Sequence, residues 1–226
     1  MSSANQLVLD LPVRRAQGRE DFFVAPANRA AVAMLDVPQA WVQHRAVLHG
    51  PTASGKTHLL NIWAQDHGAA LIVGAAITSA DMATLIAAPA LAIDEADAIA
   101  GNNAAETALF HILNGRAAAN LPTLLAGRHP SARWGIALPD LASRLNVGVH
   151  MPLLAPDDTM LAALLVKLFA DRQIAVSADL VPYLVARIDR SCAAAIAVVA
   201  RLDKAALARK SRLTVRFAGQ ILIGEI

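Results

Sequence analysis

The chain has 226 residues, a formal net charge of +2 at pH 7, 56% hydrophobic residues and a single cysteine, Cys192. That length allows one large domain, or a medium domain with a small companion, and a sizeable core. The sequence offers no run of about 18 uncharged apolar residues to cross a membrane, no basic-then-apolar leader, no pair for a disulfide and too little charge for bulk nucleic-acid binding, so the expected location is the cytoplasm.

Residues 1–5 are small and polar and read as a loose end. "QLVLDLP" (6–12) follows, with apolar residues nearly alternating before a proline stop. A buried strand has this pattern, and so has a free peptide that docks on another protein. "PVRRAQGRED" (12–21) is polar and charged and reads as a linker. "PANRAAVAMLD" (26–36) has helical spacing with Pro26 near its first turn. The short apolar runs at 45–50, 69–74, 89–95, 122–127 and 146–153 read as buried strands, with helical stretches at 57–68, about 79–87 and 104–119 between them. Such alternation predicts a parallel sheet covered on both faces.

After "LAPDDT" (154–159) the pattern turns wholly helical. Asp158 or Thr159 is expected to cap a helix running to about residue 173. Further helices are expected at 177–189 and 191–210, with Ser177 and Ser191 as N-caps. The terminal "LTVRFAGQILIGEI" reads as a turn and an amphipathic segment. A boundary near Leu154 divides a nucleotide-binding domain (20–154) from a helical domain (155–226), with residues 1–19 as peptide and linker.

"GPTASGKT" (50–57) fits G-x-x-x-x-G-K-[ST] between a strand and a helix. Gly50 and Gly55 let the loop curl so that the N–H groups from Pro51 through Thr52, Ala53 and Ser54 to His58 surround a phosphate; Pro51 itself carries none. The helix N-terminus adds partial positive charge. Lys56 is placed for the β- and γ-phosphates, and Thr57 offers a hydroxyl to Mg²⁺. In "LAIDEAD" (91–97) an apolar strand delivers Asp94, a second Mg²⁺ ligand, and Glu95, a group to orient attacking water. Adjacent Asp and Glu favour an ATPase over a small-molecule kinase. "LPDLASRLNVGVHMPL" (138–153) places Arg144 at the end of a short helix. There it is a surface arginine or an arginine finger for a neighbouring subunit's nucleotide.

Together "EDFFVAPANRAAVAML", "VLHGPTASGKTHLL", "LAIDEAD", "ETALFHILN" and "LPDLASRL" resemble, in order and spacing, the DnaA-type AAA+ family over about residues 20–210. The resemblance implies a Rossmann-like αβα domain with a five-stranded parallel sheet and a small helical lid, and ADP or ATP with Mg²⁺ as ligands. It places Val24 and Asn28 in the segment lining the adenine pocket and Arg144 on the finger. DnaA initiators also carry an N-terminal oligomerisation domain and a C-terminal helix-turn-helix domain, and neither pattern is expected here. "QLVLDL" instead resembles the Q-L-x-L-x-L sliding-clamp-binding motif of DnaA-related regulators, which implies clamp contacts through Gln6, Leu7, Leu9 and Leu11.

The resemblance thus implies an adaptor that docks on the DNA polymerase III sliding clamp (beta subunit) and promotes hydrolysis of DnaA-bound ATP. A homodimer is among the assemblies it leaves open; sequence-specific DNA binding is not expected. Two departures bear on turnover. "TLLAGRHP" offers Ala126 and Gly127 where the family puts a polar γ-phosphate sensor, with Arg128 beside them, and Ala193 stands where the lid supplies an arginine, Arg190 being a turn away. Both imply weak or no hydrolysis at the chain's own site. The alternatives are a self-contained P-loop ATPase and a DnaA-like loading or tethering factor acting on DNA. The basic residues Arg201, Lys204, Arg209, Lys210 and Arg212 read first as a solvated helix face. The seven histidines show no metal-ligand spacing.

Overall fold

In the computed structural model, which describes residues 24, 26–79, 82–209 and 211–223, each short apolar run becomes a strand. β1 (Arg45–His49), β2 (Ala70–Val73), β3 (Leu91–Asp94), β4 (Thr123–Gly127) and β5 (Val149–Pro152) form one five-stranded sheet in the order β2-β3-β4-β1-β5. All pairings are parallel, with Val47 opposite Leu125 on one side and His150 on the other. The helices are α1 (Pro26–Leu35), α2 (Lys56–Asp66), α3 (Met82–Ala87), α4 (Asn103–Ala118), α5 (Pro139–Val147), α6 (Asp158–Asp171), α7 (Leu180–Val185), α8 (Cys192–Arg209) and α9 (Val215–Ile223). None in the described residues is long and apolar enough to cross a membrane.

Successive side chains of a strand point to opposite faces, and here both faces are apolar. Ala46, Leu48, Ala92, Leu124 and Ala126 pack under α1 and α2, against Leu59, Leu60 and Trp63. Val47, Leu91, Ile93 and Leu125 face α4 and α5, against Leu109, Ile112, Leu141 and Leu145. The alanines on the first face leave room for Trp41 and Trp63, which stack with centroids 5.4 Å apart. Arg116 of α4 is buried with no carboxylate partner among the described residues. Its guanidinium donates to the carbonyls of Leu85, Ala88 and Pro122 and to the Thr123 hydroxyl, tying the end of α3 to β4. Burial pushes its pKa down to about 10.

The helical end has a third core of its own, built on Leu161, Leu165, Phe169, Leu180, Leu184, Val199, Leu202 and Phe217. Asp157, rather than Asp158 or Thr159, caps α6, its carboxylate accepting from Met160 N at 2.7 Å. Ser191 caps α8 as expected, its Oγ accepting from Ala194 N at 3.0 Å. Ser177 does not cap α7, which begins after Asp179. The helix expected at 79–87 is a 3₁₀ turn, Gly74–Ser79, followed by α3. Asn146 and Val147, expected to open the fifth strand, end α5 instead, because the helix runs on until Gly148. The peptide Gln6, Leu7, Leu9 and Leu11 lies outside the described residues, as does Lys210.

Candidate nucleotide site

The site is built where the tips of β1, β4 and β3 stand side by side. From β1 the chain enters Gly50, whose N–H donates to Gly127 O at 3.3 Å. A Cβ at Gly50 would lie 2.2 Å from Leu153 O, so only glycine lets the loop pass there. Leu153, in turn, donates its N–H to His49 O at 2.7 Å. The segment leading from β5 to the helical end therefore forms a wall of the loop. Ala53 (φ 62°) and Gly55 (φ 96°) adopt left-handed conformations that turn the loop inward onto the start of α2. No side chain caps α2 and its first turn has no acid, so its leading N–H groups and positive dipole end are left for an anion.

Lys56 Nζ donates to Gly50 O and Pro51 O, both at 2.8 Å, so the lysine closes the loop on itself. Burial lowers its pKa below the ordinary lysine value; Asp94 and Asp97 oppose that shift and Arg128 adds to it. Thr57 Oγ1 donates to Asp94 Oδ2 at 2.8 Å, joining residues 37 positions apart. Glu95 is exposed, in a left-handed conformation (φ 48°), and its N–H donates to Asp94 Oδ1 at 2.9 Å. Ser54 is buried, and its hydroxyl has no hydrogen-bond partner among the described residues. Pro51 and Thr52 are exposed on the rim, and His58 is half-buried at the start of α2. Val24 is exposed and lines a groove along α2 with Leu59, Ile62, Trp63 and Asp66, while Asn28 is buried.

At the tip of β4, Ala126 is fully buried, and a Cβ at Gly127 would lie 2.7 Å from the Trp134 ring. Neither position has room for a polar side chain. Arg128 is exposed, and its N–H donates to Asp97 Oδ2 at 2.9 Å. On the helical side Ala193 is exposed and Arg190 is engaged elsewhere, 3.0 Å from Asp158 Oδ1. Both partners of that pair are exposed, so it contributes little stability. His49, at the loop entrance, is held below the ordinary histidine pKa by burial and by His150 and His129.

Arg144 lies in the last turn of α5, its guanidinium over the Phe110 ring of α4 at 5.2 Å from the centroid. Its carbonyl accepts from Arg45 Nη1 at 2.9 Å. Three structural residues escaped the sequence reading: Arg45, the opening residue of an apolar run; Glu106, a polar position on an amphipathic helix; and Trp134, which seals Gly127. Arg45 reaches a partner 99 positions away and Glu106 partners 31 and 32 positions away, while Trp134 folds back across a turn onto Gly127, so no periodicity announced them.

The fold is that of domain III of the Thermotoga maritima replication initiation protein DnaA, matched with a TM-score of 0.80 at 16% identity over 95% of this chain and 98% of that one. A DnaA bound to AMPPCP and single-stranded DNA matches with a TM-score of 0.72 at 16% identity, over 84% of this chain and 67% of that one. Thermotoga maritima RuvB matches at 0.71 and 18% identity, over 92% of this chain and 72% of that one. Residues 157–222 match the family model described as Hda, lid domain. The chain thus pairs the fold of DnaA domain III with a C-terminal segment similar to the Hda lid domain. An uncharacterized protein of Haemophilus influenzae is 29% identical over 184 residues, covering 76% of this chain and 79% of its relative. The matched segment runs from the cap of α6 into α9, and Leu153 at the edge of the phosphate loop leads into it.

Proposed function

We propose that this chain is a nucleotide-bound AAA+ adaptor that docks on the sliding clamp and promotes hydrolysis of ATP held by DnaA, restraining replication initiation. One contrast carries the reading. The phosphate-binding half is intact, with Lys56 on the loop and Thr57 2.8 Å from Asp94. The sensing half is blank, with Ala126 buried, Gly127 sealed by Trp134 and Ala193 in place of the lid arginine. Such a site suits holding ADP or ATP better than turning it over.

In this reading residues 20–154 bind the nucleotide, 155–226 close over it as the lid, and 1–19 carry the clamp peptide Gln6, Leu7, Leu9 and Leu11. The backbone from Gly50 to His58 surrounds the phosphates, Lys56 moves its ammonium from loop carbonyls to phosphate oxygens, and Val24 and Asn28 border the base. Thr57 and Asp94 would hold Mg²⁺, which neutralises phosphate charge. Arg144 acts in trans, meeting charge that develops on DnaA-bound ATP. A cytoplasmic location goes with these partners, and the lid's basic face is solvated.

The test is hydrolysis of labelled ATP preloaded only on DnaA, with clamp, DNA and this protein present. Arg144→Ala is expected to cut the stimulated rate by about 10³-fold or more, as loss of a finger does, with ADP binding unchanged. Stimulation that survives the substitution refutes the finger. Turnover without DnaA that falls in Glu95→Gln identifies a self-contained ATPase. Salt-dependent DNA binding by the chain alone identifies a loading factor.

A further inference from the structure

The helix that carries Arg144 is held at both ends by buried charged side chains from other parts of the fold. α5 has nine residues, and its N-cap, Leu138, makes no side-chain cap. Glu106 supplies one from α4. Its Oε2 accepts from Leu138 N at 2.7 Å, and its Oε1 accepts from Ala137 N at 3.1 Å and Gly101 N at 2.9 Å. At the other end, Arg45 Nη1 donates to Arg144 O at 2.9 Å, a carbonyl of the last turn that the helix itself leaves open. The carboxylate thus sits at the positive end of the helix dipole and the guanidinium at the negative end. Gly148 makes the second contact possible, since a Cβ there would lie 2.7 Å from Arg45 Cγ.

Building on the finger reading of Arg144, we infer that Arg45 and Glu106 are positioning residues that fix the finger helix from its two ends. Arg45 is the telling member. It is 1% exposed, with no carboxylate partner among the described residues. Its Nη2 donates to Gln43 Oε1 at 2.8 Å, and its Nε is buried with no hydrogen-bond partner among the described residues. Burial, with Arg144 adding to it, pushes its pKa down to about 10. A cation buried so poorly weakens a fold relative to an apolar residue of similar size, so stability does not account for its presence. Its reach to Arg144 O, across 99 positions of sequence, does. With the backbone of Arg144 held there and its side chain on Phe110, the guanidinium leaves α5 in a defined direction. Displacing a catalytic group by about 1 Å can cost about 10²-fold in rate, so small tilts of α5 matter.

The full-length protein tests this in the DnaA-preloaded assay. Arg45→Met removes the buried charge while keeping the stem. It is expected to fold with an unchanged or higher melting temperature and to half-saturate stimulation at the wild-type concentration. Its maximal stimulated rate should fall about 10- to 100-fold. Arg45→Lys keeps one donor within reach of Arg144 O and should recover part of that loss. In an Arg144→Ala background, Arg45→Met should cause no further drop, because it acts through the finger. Amide exchange at Leu145–Val147 should quicken in Arg45→Met. A full maximal rate in Arg45→Met, or losses that multiply with Arg144→Ala, overturns the positioning role. Full stimulation in Arg144→Ala alone defeats the finger, and the positioning role with it.

Discussion

Replacing Glu106 by glutamine should destabilise the protein strongly at neutral pH and hardly at all in acid. Glu106 is 0% exposed, and its two oxygens take three backbone N–H bonds. Glutamine keeps one oxygen. Its best placement preserves the bonds from Gly101 and Ala137 and turns an NH₂ group toward Leu138 N–H, the donor of the shortest bond. One charge-assisted bond is lost, about 1.5–3 kcal/mol, and a buried N–H is left unsatisfied, about 1–3 kcal/mol before the loop relaxes. Allowing for relaxation, about 3 kcal/mol is expected. At about 2–4 °C per kcal/mol for a chain of this size, the melting temperature should drop by about 6–12 °C. The pH dependence has a definite sign. Burial alone raises the Glu106 pKa, but the N–H bonds from Ala137, Leu138 and Gly101 outweigh it, and the net folded value lies below the ordinary 4.5. Its stabilisation is therefore present above the unfolded pKa and lost as pH falls through the lower folded one. Urea unfolding followed by circular dichroism from pH 7 downward should show a wide gap between wild type and Glu106→Gln that closes only below about pH 4.5. A gap under about 0.5 kcal/mol at pH 7, or one that widens in acid, would refute the reasoning.

Lys56→Ala removes the cation that bridges Gly50 O and Pro51 O at 2.8 Å. The rise in melting temperature that saturating ADP gives the wild type should largely vanish; an undiminished rise sinks the phosphate-loop assignment. Leu9→Ala together with Leu11→Ala should abolish retention of the protein on immobilised sliding clamp, since each buried leucine is worth roughly 1.5–3 kcal/mol. ADP binding should stay normal, and a collapse in folding would instead mark the peptide as part of the core.

The elements of this protein were legible in its sequence because their signals are local. Apolar runs bounded by Gly and Pro became β1 to β5, and "GPTASGKT" announced its own turn, since left-handed Gly55 and the tight passage at Gly50 are demands on single residues. Ser191 was readable as a cap for the same reason. Boundaries were weaker where two local signals competed. The alternation in "NVGVH" suited a strand, yet Asn146 and Val147 stayed helical until Gly148 ended the helix. Three carboxyl or hydroxyl side chains, Asp157, Asp158 and Thr159, stand together at the start of α6, and it is Asp157 that accepts from Met160 N and caps the helix. What only the tertiary structure decided is which distant residues meet. The order β2-β3-β4-β1-β5 brings the tip of β4 between Lys56 and Asp94. Trp134 then occupies the space a sensor side chain would need beside Gly127. Glu106 and Arg45 reach the two ends of α5 from positions that read, one by one, as an ordinary helix face and the first residue of a strand. Hydrogen bonds and close contacts between remote segments leave no periodicity in the chain. They follow from how the layers pack, and so they appear only once the layers are in place.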